Sequence, residues 1–164
     1  SSHFDLYYLY SNTSQGTLRY RDSRPRIRKK EGGVKERLMI RRFRCQNCRT
    51  YHNELPDCLV PYKHYEAEVI AGVLDEVVLP DDLDSEDYPS VHTMIRWLQW
   101  FYENLQRIEG YLRTAGYQLL HLGEEILFTS DSLLNKIRSR HQNWLELILR
   151  IIYNSGGSLV PIRW

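Results

Sequence analysis

Two thiols and an imidazole stand within one short stretch of this chain, Phe43 to His52, which reads FRCQNCRTYH. Cys45 and Cys48 have the C-x-x-C spacing that lets both sulfurs reach one tetrahedral cation from a tight turn, and His52 follows four residues after Cys48. Thiolate and imidazole are the donors of structural zinc sites, which take four of them. A partner knuckle belongs in the turn before the long basic strand, and there the chain has Ser11-Asn12-Thr13-Ser14, two serines at the same spacing. Serine is a poor zinc ligand, so Cys45, Cys48 and His52 make an incomplete site, with His3 and Cys58 as further candidates. One structural zinc, a metal-free hairpin held by packing, and a thioredoxin-like redox pair all remain open. The redox reading needs the thiols to open a helix in a βαβ setting, whereas here they follow a basic strand. Three cysteines, an odd count, argue against a disulfide framework.

The second chemistry is charge. Residues 17–49 hold thirteen Lys and Arg against three acids, while the whole chain is only +1. Ten of the thirteen are Arg, whose planar fork suits bidentate contact with phosphate or guanine. Arg19, Arg21, Arg24, Arg26 and Arg28 lie on one run with Lys29 and Lys30 at its end. Arg37, Arg41, Arg42 and Arg44 lie on the next, and Arg49 follows the knuckle. A two-stranded ribbon so charged can lie on a phosphate backbone or enter a major groove. The other readings are pairing with the acidic stretch 81–87 or an acidic partner protein, and plain solvation. Tyr8, Tyr10, Tyr20 and Tyr51 could stack bases, although strand aromatics usually serve a core.

These residues need elements to hold them. Two alternating runs, from Thr17 and from Val34, flank Gly32-Gly33 and predict a β-hairpin. Alternation puts Leu18, Tyr20 and Asp22 on one side with Arg19 and Arg21 on the other, and Pro25 predicts a bulge or strand end. The runs HFDLYYLY and RTYHNELP read as further strand segments. Apolar spacing predicts helices over 62–77, 91–114, 117–127 and from Ser130 or Asp131 to about Tyr153, with Ser90 as an N-cap and Gly156-Gly157 as a stop. The stretch 80–89, with five acids and two prolines, reads as a loop. The expectation is an α+β chain, with a basic zinc-ribbon-like β module over 1–61 and a helical module over 62–164. Trp97, Trp100 and Trp144 read as core residues. The helices about the acidic loop have a helix-turn-helix-like order, which nominates His92, Thr93, Arg96 and Gln99 for base contact, although their connection exceeds the short turn of that motif.

No phosphate-binding glycine loop, dinucleotide fingerprint, zinc-protease motif or nucleophile elbow occurs, so the expectation is a binding protein and not an enzyme. The strongest apolar run, LELILRIIY at 145–153, is interrupted by Arg150 and far too short to cross a bilayer. No signal-peptide pattern opens the sequence, and a cytoplasmic address is expected.

Residues 17–74 add a resemblance. LRYRDSRPRI followed by RRFRCQNCRTYHNELPDCLVPYKHYEAEVI resembles an uncharacterised bacterial family related to the N-termini of insertion-sequence transposases. Arg21, Asp22, Arg24, Cys45, Cys48, His52, Leu55, Pro56, Leu59, Pro61, Tyr62 and Tyr65 match its pattern, and Thr93, Ile95, Arg96 and Trp97 extend it. The resemblance implies a zinc ribbon followed by a helix-turn-helix, suited to DNA, without a transposase catalytic domain. The family pattern has a cysteine pair where this chain has Ser11 and Ser14. The expected partner is therefore nucleic acid, DNA first, with Arg and Lys of the ribbon on phosphate and Thr93 and Arg96 at bases. The alternative is a protein-interaction module that grips an acidic partner and forms a homodimer through its helices.

Overall fold

The computed structural model describes residues 7–10, 17–56, 58–61, 63–77, 89–116 and 130–161. Among these residues, four strands, β1 (Tyr7–Tyr10), β2 (Leu18–Lys29), β3 (Lys35–Cys45) and β4 (Tyr51–Pro56), precede four helices, α1 (Ala67–Leu74), α2 (Val91–Tyr111), α3 (Leu133–Arg140) and α4 (Trp144–Asn154). The fold is α+β. The sheet is antiparallel in the order β1-β4-β3-β2, so the basic strand β2 is an edge. The β2–β3 turn is a short 3-10 segment, Glu31–Gly33, in which Gly32 and Gly33 have φ of 74° and 73°. Side chains with a Cβ reach that region only at a cost, which explains the glycine pair.

The bulge falls elsewhere than Pro25. Pro25 stays in register with Met39, and an edge strand tolerates its missing N–H. The register shifts instead between Tyr20 and Asp22, which sets Asp22 opposite Arg42. Asp22 thus joins the face of Arg19 and Arg44 and leaves that of Leu18 and Tyr20, against the simple alternation. Along the rest of the ribbon, Arg24, Arg26 and Arg28 oppose Ile40, Leu38 and Glu36, whereas Ile27 and Pro25 oppose Arg37 and Met39 on the other face. Leu38 and Ile40 are buried, while Ile27 and Met39 are exposed, so the first face supplies the core.

That core is continuous with the helices: Leu38, Ile40 and Leu55 share one cluster with Ile70, Met94, Trp97, Trp144 and Ile148. Burying a side chain such as Leu55 contributes about 2 kcal/mol or more. The first helix is shorter than expected, because the residues before it are taken by the sheet. Lys29 N donates to His64 O at 2.8 Å and Glu66 N to Lys29 O at 2.9 Å, holding 64–66 extended. Ser90 caps α2, its hydroxyl accepting from Thr93 N at 3.3 Å, and the helix widens into a π turn over Leu112–Gly116. The long C-terminal helix is two: His141 is extended, with φ −128° and ψ 124°. The break lets Trp144 turn inward and donate Nε1–H to Asp75 at 2.7 Å. Glu109 of α2 completes the start of α3, accepting from Ser132 Oγ and from the N–H groups of Leu133 and Leu134. The expected helix at 117–127, the acidic stretch 81–87, and His3, Ser11 and Ser14 lie outside the described residues.

Candidate functional site

The knuckle is a tight turn at the end of β3. Cys45 N donates to Thr50 O at 3.0 Å and Arg49 N to Cys45 O at 3.1 Å, which folds Gln46–Arg49 back on the strand. Arg49 takes φ 61° to close this turn. Pairing of Phe43 with His52 then brings the imidazole across from the end of β3. One donor atom from each of Cys45, Cys48 and His52 lies within 4.8 Å of the other two. Metal–ligand lengths of about 2.0–2.3 Å separate neighbouring donors by roughly 3.3–3.8 Å in a tetrahedral site, so the three lie close enough to hold one ion after a small inward adjustment. Cys45 and His52 are buried and Cys48 is exposed. Burial pushes the His52 imidazole down, toward the neutral form that ligates metals. The Thr50 hydroxyl links two of the donors, 2.8 Å from Cys48 Sγ and 3.2 Å from His52 Nε2. Cys58 is elsewhere: its sulfur accepts from Arg28 at 3.2 Å.

On the opposite face of the same end of the sheet, arginines gather around one ring. Tyr51 is 44% exposed, and the guanidinium carbons of Arg21, Arg42 and Arg44 lie 4.7, 5.0 and 5.9 Å from its centroid. Arg21 also donates to the Tyr51 hydroxyl, and Arg19 faces Arg44 across the ribbon. The bulge at Arg21 makes this cluster, because it turns β2 where three charges must share one face. Asp22 is the carboxylate that answers it, accepting two hydrogen bonds from Arg42 at 2.7 and 2.5 Å. Those bonds hold the Asp22 carboxyl below the usual range.

The other basic residues divide. Arg41 forks onto Glu54, Arg28 reaches Glu36 and Glu66, and Lys30 reaches Glu36. Arg26 donates to the carbonyls of Val60 and Lys63 at 2.9 and 2.7 Å. These four fasten the ribbon to its neighbours. Among the described residues, no ion pair joins Arg19, Arg24, Lys29, Arg37, Arg44 or Arg49 to a carboxylate. Thr93 and Arg96 lie on the first turns of α2, where they line a cleft with Lys29. Tyr51 is one of the four tyrosines named for base stacking, but its place among the arginines, and Thr50 between the donors, did not follow from spacing. Their position directly after the knuckle was the available signal.

A family model described as a domain of unknown function, DUF6431, matches residues 11–97. No curated protein and no solved structure matches.

Proposed function

The chain belongs to the DUF6431 family, and from that premise we propose that it is a nucleic-acid-binding protein, with DNA as its expected partner, rather than an enzyme. The observation that carries this reading is the convergence of Arg21, Arg42 and Arg44 on the exposed Tyr51 ring, beside Arg19, with Asp22 as the nearby acid. Guanidiniums on one open face hold phosphate by paired hydrogen bonds, and a ring among them offers a base a surface to stack on. Arg26, Arg28, Lys30 and Arg41, and Arg42 forked onto Asp22, act in this reading as fasteners, which narrows the phosphate contacts to Arg19, Arg21, Arg24, Lys29, Arg37, Arg44 and Arg49. Cys45, Cys48 and His52 hold one zinc that stiffens the knuckle under Tyr51. The likeness of residues 17–74 to transposase N-termini favours a mobile-element or regulatory setting.

The test is an anisotropy titration of labelled duplex and single-stranded oligonucleotides at low and moderate salt. Contacts from all seven would give a loss of roughly three to four orders of magnitude between about 50 and 200 mM salt. Arg44→Ala and Tyr51→Ala should weaken binding, whereas Lys136→Ala, on α3, should not. Absence of binding to any oligonucleotide at the lower salt refutes the reading.

One observation favours the protein-interaction alternative. Val91, Ile95, Leu98 and Tyr102 form an exposed seam along α2 at 4-3-4 spacing, with Tyr102 77% exposed. Such spacing suits a partner helix. Light scattering on the wild type and on Ile95→Glu decides whether that seam self-associates.

A further inference from the structure

A cleft of about 490 Å³ opens where the far end of β2, the segment around Lys63–Tyr65, the first turns of α2 and the tail after α4 meet. Its size is that of a small-molecule site, about 300–1,000 Å³. Lys29, Lys63 and Arg96 supply its positive charge, and the half-buried Tyr65, with Trp97 and Trp100 buried behind it, its aromatic side. Among the described residues that line it, none is a carboxylate. Aromatic faces hold the two ammoniums instead: Lys29 Nζ lies 5.0 Å from the Tyr65 centroid and Lys63 Nζ 5.2 Å from that of Trp100. The backbone bonds between Lys29 and residues 64 and 66 keep the two lysines in a fixed relation although they come from different elements. Burial lowers the Lys63 ammonium to about 8.

We propose that this cleft binds a nucleotide 5′-phosphate, the phosphate between Lys29, Lys63 and Arg96 and the base at the half-buried Tyr65 ring. Cations alone would suit any anion; the Tyr65 ring beside them favours one that carries a flat aromatic body. The nucleotide comes either free or as the 5′ end of a strand, and the strand source rests on the nucleic-acid reading above.

The experiment uses the full chain, with tryptophan fluorescence and calorimetry against a nucleoside 5′-monophosphate, the same nucleoside and inorganic phosphate. Saturable binding of the monophosphate is expected, roughly tenfold or more tighter than either fragment, and Lys63→Gln should cost about tenfold, the loss of one charge-assisted contact. The melting curve of Lys63→Gln without ligand reports whether the variant is folded, and Lys29→Gln is an independent second variant. A second arm compares one oligonucleotide with a 5′-phosphate or a 5′-hydroxyl. A preference for the phosphate that Lys63→Gln abolishes and Arg44→Ala keeps identifies the strand end as the source, and monophosphate binding without that preference identifies the free nucleotide. Equal binding of nucleoside and monophosphate, tighter binding of inorganic phosphate, or no effect of either lysine variant overturns the inference. Salt-sensitive binding of the 5′-hydroxyl strand in that event leaves the ribbon reading standing, so the two fail separately.

Discussion

Arg49 sits in a backbone conformation that its Cβ resists. Its φ of 61° closes the knuckle, and a left-handed residue other than glycine costs roughly 1 kcal/mol. Arg49→Gly should therefore raise stability by about 0.5–1 kcal/mol, less the added freedom of the unfolded chain. If Arg49 contacts phosphate, the same change weakens oligonucleotide binding, so stability and affinity move in opposite directions; a urea melt and an anisotropy titration of one variant measure both. Lys63 makes a prediction in pH. Its folded value of about 8 lies below its ordinary 10.5, so between those values the unfolded chain holds the extra proton and stability rises with pH. Denaturation midpoints across that window should show the rise in the wild type and lose this part of it in Lys63→Gln. Asp22 follows the same sense at the acid end, where the unfolded chain again holds the extra proton. Its lowered carboxyl contributes stability above the ordinary carboxylate range, and that contribution fades as pH falls through the folded value.

At the scale of elements, two glycines of the helical region respond differently to one added methyl. Gly157 is buried after α4, and a Cβ there would overlap the ring of Tyr111 at the end of α2. Overpacking of this kind costs about 1–3 kcal/mol, so Gly157→Ala should lower the melting temperature. Gly110 lies on the exposed side of α2, where an added methyl would meet nothing within 4 Å, and Gly110→Ala should stabilise by about 1 kcal/mol through helix propensity alone. Thermal melts of the two variants side by side test the seating of the tail on α2. Asn104 makes the same seating polar: its amide donates to Trp100 O and Val160 O and accepts from Val160 N, all between 2.8 and 3.0 Å. Truncating it would remove both hydrogen bonds to the part-buried backbone of Val160, a cost of about 1–3 kcal/mol.

For the whole molecule, the ribbon and the helices share one core, so a metal at the knuckle and the packing of Leu38, Ile40 and Leu55 both bear on the same unfolding transition. Elemental analysis should find one zinc per chain, lost in Cys45→Ala. Chelation should lower the melting temperature, because ligands preassembled by folding return their binding energy as stability. A chain with no zinc and no response to chelator would show that the Cys48–Thr50–His52 hydrogen bonds hold the knuckle alone.

The ribbon, its glycine turn, the C-x-x-C knuckle, the Ser90 cap and the Gly156-Gly157 stop were legible in the chain itself, since each follows from local spacing or from the backbone freedom of single residues. Long-range packing decided the rest. Helix α2 carries two overlapping apolar stripes, and the one with Trp97 and Trp100 is buried while Val91, Ile95 and Leu98 face out, because the larger rings remove more surface from water. The break at His141 and the extended course of 64–66 answer to Asp75 and Lys29, partners distant in sequence. The division of the arginines into fasteners and an open cluster around Tyr51 also came from the fold alone. Charge is countable in a sequence, but whether a guanidinium finds a carboxylate depends on strand register and on one bulge beside Arg21.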